Sequence, residues 1–216
     1  MFRTANIPVI VGGNIGTGLL TTLDTIDTET RVVLEISHTQ LARTNQSPHW
    51  GAVLNVTPNH LDKFTWNEYI DLKKNLLRHQ TNKDVAILPT DNKIAMAFRD
   101  TTPATVIYFG LNELPGPGAT LDGENIVWNP GDGVQVVCPI RAVQIPGEHN
   151  LKNVLASIAI GAVSGAPIEA VKEAICTFKG IKHRLETIAT VNGVRYVDDS
   201  IATTPERTIA ALRAID

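Results

Sequence analysis

The amino-acid sequence predicts an α/β fold, a mainly parallel sheet flanked by helices. Three observations carry this expectation. Short runs rich in β-branched residues alternate with helical patterns, the order of parallel βαβ units rather than hairpins. Those runs are continuously apolar, as in strands covered on both faces. Finally, 43% of the 216 residues are hydrophobic and 19% charged, a balance that can bury a core.

Taken in order, residues Met1 to Asn6 read as the tail of a helix feeding a first strand, Ile7 to Val11. Gly12, Gly13 and Gly16 then form a tight strand-to-helix turn in which positive φ and close backbone approach to an anionic ligand are available. Strands follow at Arg31 to Ile36 and Ala52 to Val56. Trp66 to His79 reads as a helix with Tyr69, Leu72, Leu76 and Leu77 inward, and Asp84 to Leu88 and Thr105 to Phe109 complete the parallel set.

From Gly110 to Gly147 the turn formers Pro115-Gly116-Pro117-Gly118, Asp122-Gly123 and Asn129-Pro130-Gly131 separate short strands, a small antiparallel insertion. Helices return at Asn150 to Val163, burying Leu151, Val154, Leu155 and Ile158, and after Pro167, presenting Ile168, Val171, Ile175 and Phe178. Leu185 to Val191 and Val194 to Asp198 flank Asn192-Gly193, a strong hairpin signal. A last helix starts at Thr204-Pro205, with Ile209, Leu212 and Ile215 as its apolar stripe. Both ends suggest a fragment, or a chain that relies on a partner.

Composition narrows the function. The 19 lysines and arginines against 22 aspartates and glutamates give a net charge of −3, without the cation excess that a nucleic-acid partner requires. Cys138 and Cys176 lie in neither zinc nor disulfide-framework spacing, which suits a reducing compartment. Without a leader pattern or an 18-residue apolar segment, the expectation is a cytoplasmic protein with no membrane partner.

Five segments concentrate polar residues at the ends of predicted strands and helices, where open α/β sheets place ligands. They are Gly12-Gly13-Asn14-Ile15-Gly16; Leu34-Glu35-Ile36-Ser37-His38-Thr39-Gln40; Asn55 to Asp62 with Tyr69 to Lys73; Gly147 to Asn153; and Phe178 to Glu186 with Asp198 to Thr204. A carboxylate such as Glu35, ending an apolar strand, is costly unless paired or bound to a cation. His60 is a neutral ligand near pH 7 able to orient a metal or a phosphate.

Together and in this order, the segments resemble the Mur ligases of peptidoglycan synthesis, most closely the members that add D-glutamate to UDP-N-acetylmuramoyl-L-alanine. The patterns GGNIG, LE(L/I)SxxQ, NVTPDHLD, GxHNxxN, FxGxxHRxE and DDSxAT occur in the same sequence, and the resemblance runs from about Val9 to Leu212. It implies a central ATP-binding domain over residues 1–181, and over 182–216 the first hairpin and helix start of a Rossmann-like C-terminal domain. The implied reaction is ATP-dependent ligation: a substrate carboxylate becomes an acyl phosphate, which the amine of D-glutamate attacks.

The resemblance also assigns residues. It implies a catalytic, Mg2+-binding set in which Glu35 holds one ion, and His60 with Lys73 the second. Lys73 would act as its carbamate, because an ammonium repels the cation whereas a carbamate is an anionic oxygen ligand. Asn14, Ser37, Gln40, His60 and Thr203 match positions that hold the UDP-muramoyl substrate; Asn150, Asn153, Arg184 and Asp199 match positions around ATP. Three positions depart from the family pattern: Ile201 replaces the lysine of DSKAT, His38 a serine and Asn59 an aspartate. No Gly-Lys dipeptide occurs, so the sequence holds no GxxxxGK(S/T) phosphate loop, which is expected just upstream of the GGNIG strand. The competing readings are a non-catalytic nucleotide or UDP-sugar binding module and another amide ligase of the same superfamily.

Overall fold

A computed structural model describes residues 1–16 and 18–215. In chain order its strands are β1 (Val9–Gly13), β2 (Arg31–Glu35), β3 (Trp50–Ala52), β4 (Val85–Pro89), β5 (Thr105–Phe109), β6 (Gly118–Asp122), β7 (Asn125–Asn129), β8 (Gln135–Pro139), β9 (Glu186–Val191) and β10 (Val194–Asp198). The helices are α1 (His38–Leu41), α2 (Trp66–Arg78), α3 (Lys93–Met96), α4 (Glu148–Val163), α5 (Ile168–Thr177) and α6 (Pro205–Arg213).

The main sheet runs β3-β4-β5-β6-β7-β8. Strands β3 to β6 are parallel, and β6, β7 and β8 antiparallel, so the segment expected as an insertion continues the parallel sheet at its edge. Gly118 permits the join: a Cβ there would collide with the Tyr108 carbonyl oxygen. Strand β4 explains why its run is apolar throughout. Ile87 faces a core with Leu155 and Ile158 of α4 and Val171 of α5, while Ala86 and Leu88 face a second core with Tyr69 and Leu77 of α2 and with Phe98. Both faces are covered, giving three layers.

β1 and β2 pair only with each other, as a separate parallel two-stranded sheet. The expectation that both are covered on two faces does not hold, since Val11, Val32, Val33 and Leu34 are exposed. An apolar run predicts a strand, but burial requires a layer on each side, and the described residues provide none here. The glycine turn also differs from its reading. Gly13 has φ +104° and a Cβ on it would collide with the Glu35 carbonyl oxygen, so the close approach it permits is to β2. The element after the turn is a 3-10 helix, Leu19–Thr25.

Several boundaries and faces shift for identifiable reasons. β3 lies earlier than Ala52 to Val56 because its register with β4 pairs Trp50 with Val85 and Ala52 with Ile87, leaving Val53 and Val56 buried beyond the strand. Residues 1–7 close a helical turn in which Ile7 N–H donates to Phe2 O and Asn6 N–H to Arg3 O, with Asn6 at φ +56°. That is a Schellman ending, as the helix-tail reading expects. Asn192 and Gly193 have φ of +51° and +80°, the type I′ geometry of a two-residue hairpin. Phe178 follows α5 and is exposed.

The expected stripe of α6 is corrected: Ile209 and Leu212 are 48% and 63% exposed, while Ala211 is buried and Ala210 and Ala214 half-buried. Small side chains let α6 lie close to the body, with the Ala214 methyl 2.7 Å from where a Cβ on Gly147 would sit.

Candidate functional site

The end of β2, helix α1, the loop after β3 and helix α2 bring one group of residues together. Asn14 N–H donates to Glu35 O at 2.7 Å, placing the turn after β1 against the end of β2. His60 has φ +57°, a left-handed conformation held by its N–H on the Asn59 side chain at 2.9 Å. Its ring stacks on His38 at 4.2 Å between centroids and lies 6.2 Å from Tyr69. One helical turn beyond Tyr69, the Lys73 ammonium lies 5.7 Å from the Tyr69 ring centroid.

Burial pushes the Lys73 amine below its ordinary pKa, against the opposing attraction of Glu35. Burial lowers the His38 pKa too, reinforced by the charges of His60, Lys73 and Lys63. Glu35, His60 and Lys73 thus share one neighbourhood, with Tyr69 between the last two. Ser37 and Gln40 adjoin it, with their side chains engaged in a capping box: Gln40 N–H donates to Ser37 Oγ, and Ser37 N–H to Gln40 Oε1 at 2.9 Å.

A second group surrounds a cavity of about 600 Å³. Asn150 and Asn153 reach it from the first turns of α4, Arg184 from the connection into β9, and Asp199 from the end of β10. The same two asparagines and Arg184 line a smaller cavity of about 320 Å³, walled by Ile175, Phe178 and Ile181. Helix α4 starts at Glu148 behind Gly147 at φ +95°, so Asn150 is not its cap; its side-chain amide donates to Pro146 O at 2.7 Å. Thr203 is exposed, next to Ala202 of the cavity wall.

Arg184 is aimed by its neighbours. His183 and Leu185 on either side have φ of +65° and +49°. Carboxylates hold this turn: Glu186 accepts from His183 N–H at 2.8 Å, Asp199 from Leu185 N–H at 3.1 Å, and Asp198 pairs with the His183 ring at 2.8 Å. The His183 partner pulls Asp198 down to about 2.

The chain's sequence matches a known family. The Mur ligase middle domain matches residues 13–161, well over half of the chain. The chain is a member of the Mur ligase family. Among curated Mur ligases, the UDP-N-acetylmuramoylalanine--D-glutamate ligase of Symbiobacterium thermophilum is 36% identical over 218 residues, covering 100% of this chain and 48% of the relative. The enzyme of that name from Acetivibrio thermocellus is 36% identical over 205 residues, covering 94% and 44%. The chain therefore spans about half the length of the curated relatives it matches. Two solved Mur ligases share the fold. MurF from Acinetobacter baumannii has a TM-score of 0.73 at 18% identity, over 99% of this chain and 50% of that one. MurF ligase from Thermotoga maritima in complex with ADP has a TM-score of 0.68 at 18% identity, over 99% and 52%.

The sequence reading missed several side chains of the larger cavity. Asp91, His149, Lys152 and Arg207 line it. Lys152 bonds Asp91 at 2.6 Å and Glu148 at 2.9 Å; burial alone lowers its pKa, but the two carboxylates outweigh that and hold it above its ordinary value. His149 and Lys152 fall inside the GxHNxxN segment and were within reach of the motif, whereas Asp91 and Arg207 lie outside every pattern.

Proposed function

We propose that this Mur ligase chain is part of an ATP-dependent, amide-bond-forming enzyme that adds D-glutamate to UDP-N-acetylmuramoyl-L-alanine through an acyl phosphate. It works in the cytoplasm, without nucleic-acid or membrane partners. The observation that carries the reading is the meeting of Asn150, Asn153, Arg184 and Asp199, from three separate segments, around one cavity. The pairing of D-glutamate with UDP-muramoyl-alanine rests on the names of the curated relatives.

Each side chain has chemistry suited to the role. Asp199 uses one carboxylate oxygen on Leu185 N–H, which leaves the other to accept from ribose hydroxyls. The two amides offer both donors and acceptors beside the apolar walls of the smaller cavity, a combination suited to a purine. Arg184 presents a planar fork for phosphate oxygens. Residues 1–181 then form the nucleotide-binding domain, and residues from 182 onward open a second.

On the other side, the donors fit Mg2+. Burial of Lys73 favours the neutral amine, the form that combines with carbon dioxide to give a carbamate, and Glu35 is close enough to feel its charge. Glu35, carbamylated Lys73 and His60 would hold the ions, which when bound neutralise charge on the transferring phosphoryl oxygens. Asn14, Ser37, Gln40, His60 and Thr203 then orient the UDP-muramoyl substrate.

The competing reading is a nucleotide or UDP-sugar binding module without catalysis. Calorimetric titration of the purified chain with ADP and with UDP-N-acetylmuramoyl-L-alanine tests both readings. ADP binding is expected to fall in Asp199→Ala, and muramoyl-substrate binding in His60→Ala; failure of both ligands to bind overturns the assignment. Product from the unsubstituted chain with ATP, Mg2+, bicarbonate and D-glutamate would exclude the module reading.

A further inference from the structure

We infer that Arg207 supplies an oxyanion-binding cation to the larger cavity. The inference rests on the ligase reading above and concerns a residue that no family pattern in this sequence marks. Ile201 lines the cavity with an uncharged side chain. Arg207, Ala210 and Ala211 line the same cavity at helical spacing, so the inward stripe of α6 begins with a guanidinium followed by small residues.

Packing does not account for that arginine, because it is exposed and its stripe is otherwise alanine. The remaining cations of the cavity divide into two kinds. Lys152 is engaged by Asp91 and Glu148. Among the described residues, neither Arg184 nor Arg207 has a carboxylate within 4.0 Å. Two guanidiniums thus border one cavity beside Asp199, and each can grip a phosphate or a carboxylate with two parallel N–H bonds.

The ligand class is an oxyanion, either a nucleotide phosphate or the carboxylate of an amino acid, and calorimetry on the full chain separates the sources. The probes are adenosine, ADP, and D-glutamate with ADP present. Arg207→Ala is expected to weaken ADP about tenfold if the oxyanion is a phosphate, or D-glutamate by a similar factor if it is a carboxylate, with adenosine unchanged. Arg207→Lys should retain most of the affinity, and adding Ile201→Lys to Arg207→Ala should restore it, a rescue that a merely structural role would not give. ADP and D-glutamate binding that is indifferent to Arg207→Ala, or unrestored by Ile201→Lys, overturns the inference and leaves the nucleotide assignment standing. If the unsubstituted chain binds neither adenosine nor ADP, both fall together.

Discussion

Strands β2 and β4 are close relatives as sequence, RVVLE against VAILP, yet β4 is buried almost throughout and β2 is exposed from Val32 to Glu35. The difference lies in what covers them: α4 on one face and α2 on the other for β4, no described layer for β2. The contrast extends to the site. Asn150 and Asn153 ride on α4, whose Leu155 and Ile158 are rooted in the core, whereas Asn14 and Glu35 ride on the two-stranded ledge of β1 and β2. Asn150 and Asn153 are thus held by close packing, and Asn14 and Glu35 by one strand pairing.

The sharpest way to break this comparison is a pair of truncations. Leu155→Ala, at a residue 0% exposed, should cost about 2–5 kcal/mol in urea denaturation. Val33→Ala, at 37% exposed, should cost under about 1 kcal/mol. Equal losses would mean that β2 is covered in solution. Amide hydrogen exchange should then rank the two sheets, with β4 and β5 exchanging only on global unfolding and β1 and β2 by local opening.

A third test compares two matched ion pairs, His49 with Asp84 at the entry to β3 and β4, and His183 with Asp198 on the hairpin, both at 2.8 Å. The His49 hydrogen bond and those from Thr81 depress Asp84 to about 2 from 3.8. A depressed carboxylate contributes stability that is present above its unfolded pKa and lost as pH falls through the folded one. Melting temperature should therefore drop between about pH 4 and pH 2, and the drop should shrink in Asp84→Asn; a pH profile unchanged by that substitution would deny the pair any role. A modest effect is also expected of His38→Ser. Unstacking the His60 ring should change stability by about 0.5–1.5 kcal/mol or less, read from the same denaturation curves.

How much of this was legible in the sequence depends on which physical signal each element carries. β5, the β9–β10 hairpin and the helix over residues 66–78 were readable because β-branched runs, Asn-Gly and an apolar period are local signals. The exposure of β2 was not, since covering layers are a tertiary property. Helix α6 misled for a related reason: Ile209, Leu212 and Ile215 form the stronger hydrophobic pattern, but close approach to Gly147 selects the alanine face. Motif order pointed to residues that the fold does gather, Glu35 with His60 and Lys73, and Asn150 with Asn153, Arg184 and Asp199. It did not point to His38 as a stacking partner or to Arg207 as a cavity residue, because neither role follows from a residue type at a fixed spacing.

Asn150, Asn153 and Arg184 line both the cavity of about 600 Å³ and the one of about 320 Å³. For chemical screening this makes the smaller, apolar chamber an indirect handle on the larger. A fragment lodged against Phe178 and Ile181 lies in the cavity lined by Asn150, Asn153 and Arg184, the same three groups that the larger chamber presents to its occupant. Such a fragment would register in a competition assay through those shared side chains.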